Sequence, residues 1–161
     1  MKRKVILGLL ICGALPPIAL LVRGGRGQVE YNKALGRKVF AEIYGEGKVP
    51  LVDRLYAEDF VDDSPGGGTG RELIKQAVTE FHRAMPDLRI EFEDVFATED
   101  KVVIRYTARG TQTGPIWGIP PSGKAVAARG ITIFLVSDGK IKTEWTEYDR
   151  LGVLRQLGVV P

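Results

Sequence analysis

The chain reads as an α+β protein in which N-terminal helices cover one face of a curved antiparallel sheet. Three observations carry that expectation. Apolar residues recur at helical spacing before Pro86, and they alternate with polar ones after it. Asp138-Gly139, a preferred pair for a two-residue type I′ turn, sits between two of the alternating runs. At 161 residues with 44% hydrophobic content, the chain is long enough for one domain with a core and short for two. The expected division is a targeting segment plus linker at residues 1–27 and a single domain at residues 28–161.

The leader is cationic at Lys2, Arg3 and Lys4, then runs without a charge for 18 residues, 5 to 22, before Arg23. This pattern predicts a membrane-anchor helix or a cleaved signal with equal weight, and hence a membrane-anchored or exported protein. Pro16 and Pro17 would kink or end such a helix. Cys12 is the only cysteine, so the domain has no internal disulfide. The leader also accounts for the formal net charge of +3, since from Gln28 onward 18 Lys/Arg face 20 Asp/Glu, a net charge of −2. The folded part therefore lacks the basic excess of a nucleic-acid binder, and no such partner is expected.

Residues 24–28 read as linker. Leu35, Val39, Phe40 and Ile43 then recur at helical spacing from an Asn32 cap until Gly45 and Gly47. Pro50 opens a short second helix with Leu51 and Leu55 on one side, the chain leaves through Tyr56 to Phe60, and residues 61–70 read as a loop. Thr69 and Glu72 have capping-box spacing for a third helix carrying Leu73, Ile74, Ala77, Val78, Phe81 and Met85, which Pro86 terminates. Strands follow around Leu88, Ile90 and Phe92 and at residues 102–110, 125–136 and 141–149. A last short helix, 151–157, presents Leu151, Leu154 and Leu157.

The final hairpin decides where carboxylates point. A two-residue turn at Asp138-Gly139 opposes Val136 to Ile141, Phe134 to Thr143, Thr132 to Trp145, Gly130 to Glu147 and Ala128 to Asp149. Glu147 and Asp149 then share an inner face with residues of small side chain, and Glu144 lies on the outer face with Lys140 and Lys142, in solvent. A carboxylate on an apolar concave face has its pKa raised toward the range useful for proton transfer. Asp149 also precedes the last helix, where aspartate is a favoured N-cap. Both roles stay open on these grounds.

Residues 100–158, with the GIPPSGK loop, the RYT strand and the WTEYDRLG ending, closely resemble the SnoaL-like polyketide cyclase (ester cyclase) family. AEDFVDDSPG and FHRAMPDLRIEFEDVFA extend the resemblance to roughly residues 32–158. It implies a cone-shaped curved sheet wrapped around the N-terminal helices, with a deep apolar pocket, usually in a homodimer. It implies an aspartate late in the final strand as general acid/base in an intramolecular aldol ring closure, without metal or cofactor. Asp149 matches that aspartate, with Glu147 as a partner that tunes it. Trp145, Trp117, Phe134, Tyr106 and Phe60 are candidates for the pocket wall, Ile119 for its roof and Asp63 for its rim. Members often carry histidine at the positions of Asp63 and Gln112.

Of the other residues, His82 is the only histidine, which excludes His-based triads and multi-histidine metal sites within one chain. It reads as a surface or hydrogen-bonded edge residue. Asp62, Asp63 and Ser64 precede Gly66-Gly67-Gly68 and suit either turn chemistry or a pocket mouth. Arg105, Arg109 and Arg129 read as cross-strand partners of glutamates. The expected ligand is a small hydrophobic carbonyl compound, undergoing aldol cyclisation or a related isomerisation. The alternative is a binding or accessory protein of the same fold without turnover.

Overall fold

The computed structural model describes the backbone over residues 18–161 and the side chains over residues 25–161. Most of the leader, with its anchor or signal role, lies outside the described residues. No helix among the described residues is long and apolar enough to cross a membrane. Where the sequence suggests a linker at residues 24–28, the chain is instead helical, because α1 spans Ile18–Lys38 without a break. Asn32 is not its cap. It is a fully buried mid-helix residue whose Nδ2 donates to the carbonyls of Thr98 at 3.0 Å and Glu99 at 2.9 Å, while its Oδ1 accepts from Gln28 at 2.8 Å. This tertiary tie outweighs the poor intrinsic helix propensity of the glycines before it.

α1 continues as a π-helical turn, Val39–Gly45, whose Val39, Phe40 and Ile43 are buried. Such turns commonly mark functional sites, and this one brings Phe40 and Tyr44 onto the inner face of the sheet. A 3-10 turn at Val49–Leu51 leads into the short α2, Val52–Leu55, as Pro50 suggests. β1 spans Tyr56–Asp62, β2 Gly68–Thr69 and α3 Arg71–Ala84. The predicted capping box does not form, because Thr69 is committed to pairing with Val61 and Gly70, at φ 93°, becomes the N-cap. The meander follows: β3 Arg89–Ala97, β4 Lys101–Thr111, β5 Ala125–Ser137 and β6 Lys140–Tyr148, then α4 Arg150–Leu157. α4 buries Leu157 of the predicted leucine stripe together with Val153, and leaves Leu151 exposed.

One six-stranded sheet runs in the order β2-β1-β6-β5-β4-β3. The four-strand meander is antiparallel as predicted, but β1 pairs parallel to β6, so the sheet is mixed. Its inner face meets the N-terminal helices in a core that includes Phe40, Ile43, Val52, Tyr56, Phe60, Ile74, Val78, Ile104 and Phe134. Phe60 and Phe134, predicted for a pocket wall, are fully buried here, each packed edge-on to Tyr56 at 4.9 and 6.5 Å between ring centroids. On the outer face Arg105 pairs with Glu93 at 2.7 Å and Asp94 at 2.6 Å, and Arg109 with Glu91 at 2.8 Å, which is the cross-strand pairing the sequence suggests.

The β5–β6 hairpin departs from the predicted register after its first two pairs. Asp138 and Gly139 have φ of 51° and 71°, the type I′ signature, and Val136 faces Ile141 as predicted. A bulge then intervenes, with Lys142 as the extra residue. Beyond it Leu135 faces Thr143, Phe134 faces Glu144, Thr132 faces Thr146, and Gly130 faces Tyr148. The neighbouring β1 is irregular at the same level, pairing Tyr56 with Ile141 but Val61 with Thr143, and Asp59 of β1 forms an ion pair with Lys142. A shift of one residue exchanges the two faces of a strand, so Glu144, Thr146 and Tyr148 point inward.

Truncation of Asn32 to alanine would leave the Thr98 and Glu99 carbonyls without their donor. The expected loss is about 1–3 kcal/mol, read as a lower urea midpoint at unchanged m-value.

Candidate active site

The inner face of the sheet, the π-helical turn and α3 enclose a cavity of about 260 Å³. Most of its wall is apolar: Phe40, Leu73, Ile74, Phe81, Met85, Leu88, Ile90, Val126 and Val153 all contribute. Polar groups converge on one side, where Tyr44, Asp62, Ser64, Thr132, Glu144 and Thr146 line it. An apolar hollow with a few convergent polar groups is the usual form of a small-molecule site. Among the described residues, no three His, Cys, Asp or Glu side chains come together as a metal-binding group.

Glu144 is the centre of that polar side. It is 5% exposed, contrary to the expectation that it is solvated, and the bulge at Lys142 is the cause. Its Oε1 accepts from the Thr146 hydroxyl at 2.9 Å, and Oε2 faces the Tyr56 hydroxyl at 3.4 Å. Thr146 in turn shares a 2.7 Å hydrogen bond with Thr132. Burial pushes the Glu144 carboxyl up to about 7, and the negative charge of Asp62 adds to the rise, while hydroxyls of Thr146, Tyr56 and Tyr44 oppose it. Burial wins because three neutral donors replace only part of the hydration that a carboxylate loses. Tyr44 and Tyr56 are held well above the ordinary phenol range, chiefly by burial, and Tyr106 is pushed up to about 12 for the same reason. All three phenols remain neutral donors at working pH.

Asp62 and Ser64 form the mouth, which places two of the three residues singled out before the glycine-rich loop. Asp62 is the register partner of Glu144 across the parallel β1–β6 pair. Its Oδ1 accepts from the Ser64 amide at 3.0 Å, and the Ser64 hydroxyl accepts from the Thr146 amide at 2.8 Å, stitching the mouth to β6. Opposite them, Trp117 and Tyr148 close the cavity with ring centroids 6.3 Å apart. Trp117 occupies a left-handed conformation, φ 51°, at the tip of a tight turn between Ile116 and Ile119, with the Arg150 guanidinium 4.8 Å from its ring centroid.

The sequence-predicted residues divide. Trp117 and Tyr106 line the cavity. Asp149 does not: it is exposed and serves as the N-cap of α4, its carboxylate accepting from the Gly152 amide at 2.7 Å. Glu147 is likewise exposed, and both lie along a shallow groove bordered by Arg105 and Arg129. The shifted register puts Glu147 on the outer face, and the start of α4 turns the Asp149 side chain to the helix amides. Trp145 is also turned outward, donating to Asp63 at 2.8 Å, so neither lines the cavity. Ile119 packs behind Trp117 in a small cluster with Val126, Val153 and Leu157. Gln112 is a buried clamp rather than a rim group, since it donates to the carbonyls of Gly114 at 2.8 Å and Pro120 at 3.0 Å and accepts from the Ser122 amide at 2.9 Å. His82 meets the Tyr44 carbonyl at 2.9 Å, in keeping with a hydrogen-bonded edge role. The residues that sequence reasoning missed are Glu144, Tyr44, Tyr56, Thr132 and Thr146. Of these, Thr132 carried the clearest signal, as a polar residue within the otherwise apolar stripe of Phe134 and Val136.

The sequence profile of the SnoaL-like polyketide cyclase family matches residues 34–157. Among solved structures, TsrD from Streptomyces laurentii is 33% identical over 81% of this chain and 97% of its own, with a TM-score of 0.75. A candidate polyketide cyclase from Bacillus cereus ATCC 10987 is 31% identical over 76% of this chain and 77% of its own, TM-score 0.65. IdmH from Streptomyces antibioticus, also named as a candidate polyketide cyclase, is 29% identical over 74% of this chain and 93% of its own, TM-score 0.65. No curated protein matches the chain.

Raising a carboxyl in the folded state from the ordinary 4.5 to about 7 means the native protein retains a proton that the unfolded chain has released. Stability is therefore lost as pH rises from about 4.5 through 7, by about 3 kcal/mol in all. Glu144→Gln should flatten that part of the profile and exceed the parent protein in stability above pH 8, as measured by urea unfolding at stepped pH.

Proposed function

The chain belongs to the SnoaL-like polyketide cyclase family, and we propose that it is a cofactor-independent acid–base enzyme that uses Glu144 on a small hydrophobic carbonyl compound. Family membership supports cyclase- or isomerase-type activity. The observation that carries the assignment of the base is the burial of one carboxylate, with a pKa of about 7, on the polar side of an apolar cavity. A group titrating near neutral pH can both take and return a proton. In its charged form Glu144 removes a proton from a carbon next to a carbonyl, giving an enolate and a neutral acid. The enolate carbon then bonds to a second carbonyl carbon, and the alkoxide formed takes the proton back. Electrons and protons balance without a co-reactant.

The surrounding hydroxyls suit this cycle. Tyr44 lines the cavity as a neutral phenol and can donate to an oxygen that gains charge, while Tyr56 and Thr146 orient the carboxylate through their hydroxyls. The volume of about 260 Å³ suits a ligand of one or two rings rather than a fused four-ring skeleton. One observation favours a second reading, a binding protein without turnover. The aspartate that the family resemblance points to, Asp149, is an exposed helix cap outside the cavity.

Exchange of the α-protons of 2-tetralone, a neutral bicyclic ketone, followed by NMR in D₂O, separates the two. The acid–base reading expects exchange that rises with pH through about 7, falls about 10²–10⁴-fold in Glu144→Gln, and changes little in Asp149→Asn. Binding of the ketone with no exchange above that of Glu144→Gln would leave the ligand-binding reading.

A further inference from the structure

The polar side of the cavity is negatively charged. Asp62 and Glu144 are register partners on adjacent parallel strands, so both side chains project to the same face, and both line the cavity. No Lys, Arg or His is among the described residues that line it. The neighbour bonded to the Asp62 carboxylate is the neutral Ser64 amide, at 3.0 Å. Nor is Asp62 free to swing away. The mouth loop packs directly on it, so that a Cβ at Gly67 would fall 2.2 Å from the Asp62 carbonyl oxygen and 2.8 Å from its Cγ. A fixed negative charge at the mouth of an apolar hollow acts through low-dielectric walls and is weakly screened there.

We propose that Asp62 determines specificity by charge: the cavity takes uncharged carbonyl compounds and rejects carboxylates, phosphates and sulfates of the same shape. This rests on the acid–base reading above, because it assigns the ligand class of the same cavity. It also makes Asp62 a positioning residue for Glu144. Like charges directly across neighbouring strands repel, so the mouth charge keeps Glu144 from ionising too readily, and an anionic ligand would add a third negative group. The class of reaction that supplies the ligand must then release it from any anionic carrier before it enters.

Three probes of one shape test the proposal at pH 8: 2-acetylnaphthalene, 2-naphthoate and 2-naphthylmethylammonium, each titrated against the parent protein by calorimetry. The carboxylate should bind about tenfold or more weakly than the ketone, and the ammonium should lose less than the carboxylate. Asp62→Asn, checked for folding by circular dichroism, should shrink the gap between ketone and carboxylate and shift the pH dependence of α-proton exchange downward, with Asp62→Ser as the second variant. Equal binding of ketone and carboxylate overturns the proposal. So does an equal loss for both charged probes, which would reduce the effect to desolvation, or an unchanged gap in a folded Asp62 variant. Binding is read without turnover. A protein that selects by charge but exchanges no protons therefore defeats only the acid–base reading, and one that exchanges protons without selecting defeats only this inference.

Discussion

One extra residue in the β5–β6 hairpin decides which carboxylates of the last strand see water. With Lys142 bulged out, the strand inverts its faces: Glu144, Thr146 and Tyr148 turn to the cavity, and Trp145 and Glu147 turn away. The hydrogen-bonded cluster around Glu144 follows from that inversion, since Thr146 and the Tyr56 hydroxyl meet Glu144, and Thr132 meets Thr146, only in the shifted register. The bulge is braced from β1, whose own irregularity lies at the same level and whose Asp59 pairs with Lys142. Bulges of this kind re-aim side chains next to active sites in many sheets.

A carboxylate buried to 5% exposure is tolerated because it need not stay charged. Burial and the facing Asp62 raise its pKa to about 7, so at neutral pH the protein spends much of its time with the proton on. The hydroxyls of Thr146, Tyr56 and Tyr44 favour the charged form and keep the balance from tipping fully to the neutral acid. A plain structural role would be served better by an apolar residue of like size, which would avoid the desolvation entirely. That contrast is why the site reads as chemistry and not as packing.

The opposite wall is built differently. Gln112 fixes the arms of the loop through three backbone contacts, and the loop's strain is concentrated at its tip in the left-handed Trp117. Such a conformation costs about 1–3 kcal/mol for a residue other than glycine. The Arg150 guanidinium over the ring offsets part of that, about 0.5–1 kcal/mol at an exposed site. Arg150 begins α4 directly after its cap Asp149. The aspartate thus contributes to the cavity indirectly, by starting the helix that carries the cation above the roof tryptophan.

Much of the architecture was legible in the linear order of residues. The change of period at Pro86, the type I′ pair at Asp138-Gly139 and the inner stripe of β5 from Gly130 to Val136 all stand in the fold, because each is set by backbone sterics or by neighbours within a few positions. Asp149 likewise fills the cap position its place before the last helix suggests. The lost capping box at Thr69, the buried Asn32 and the parallel pairing of β1 depended on partners far away in the chain. The identity of the buried carboxylate belongs to the same class. In β6, apolar and polar residues alternate weakly enough that either face could turn inward, and a bulge changes the outcome without changing any local preference. Residue types alone therefore determined that this strand would bring carboxylates to the site. Only the meeting of β6 with β1 and β5 decided that Glu144 is the one shielded from water, because burial is a property of the assembled sheet.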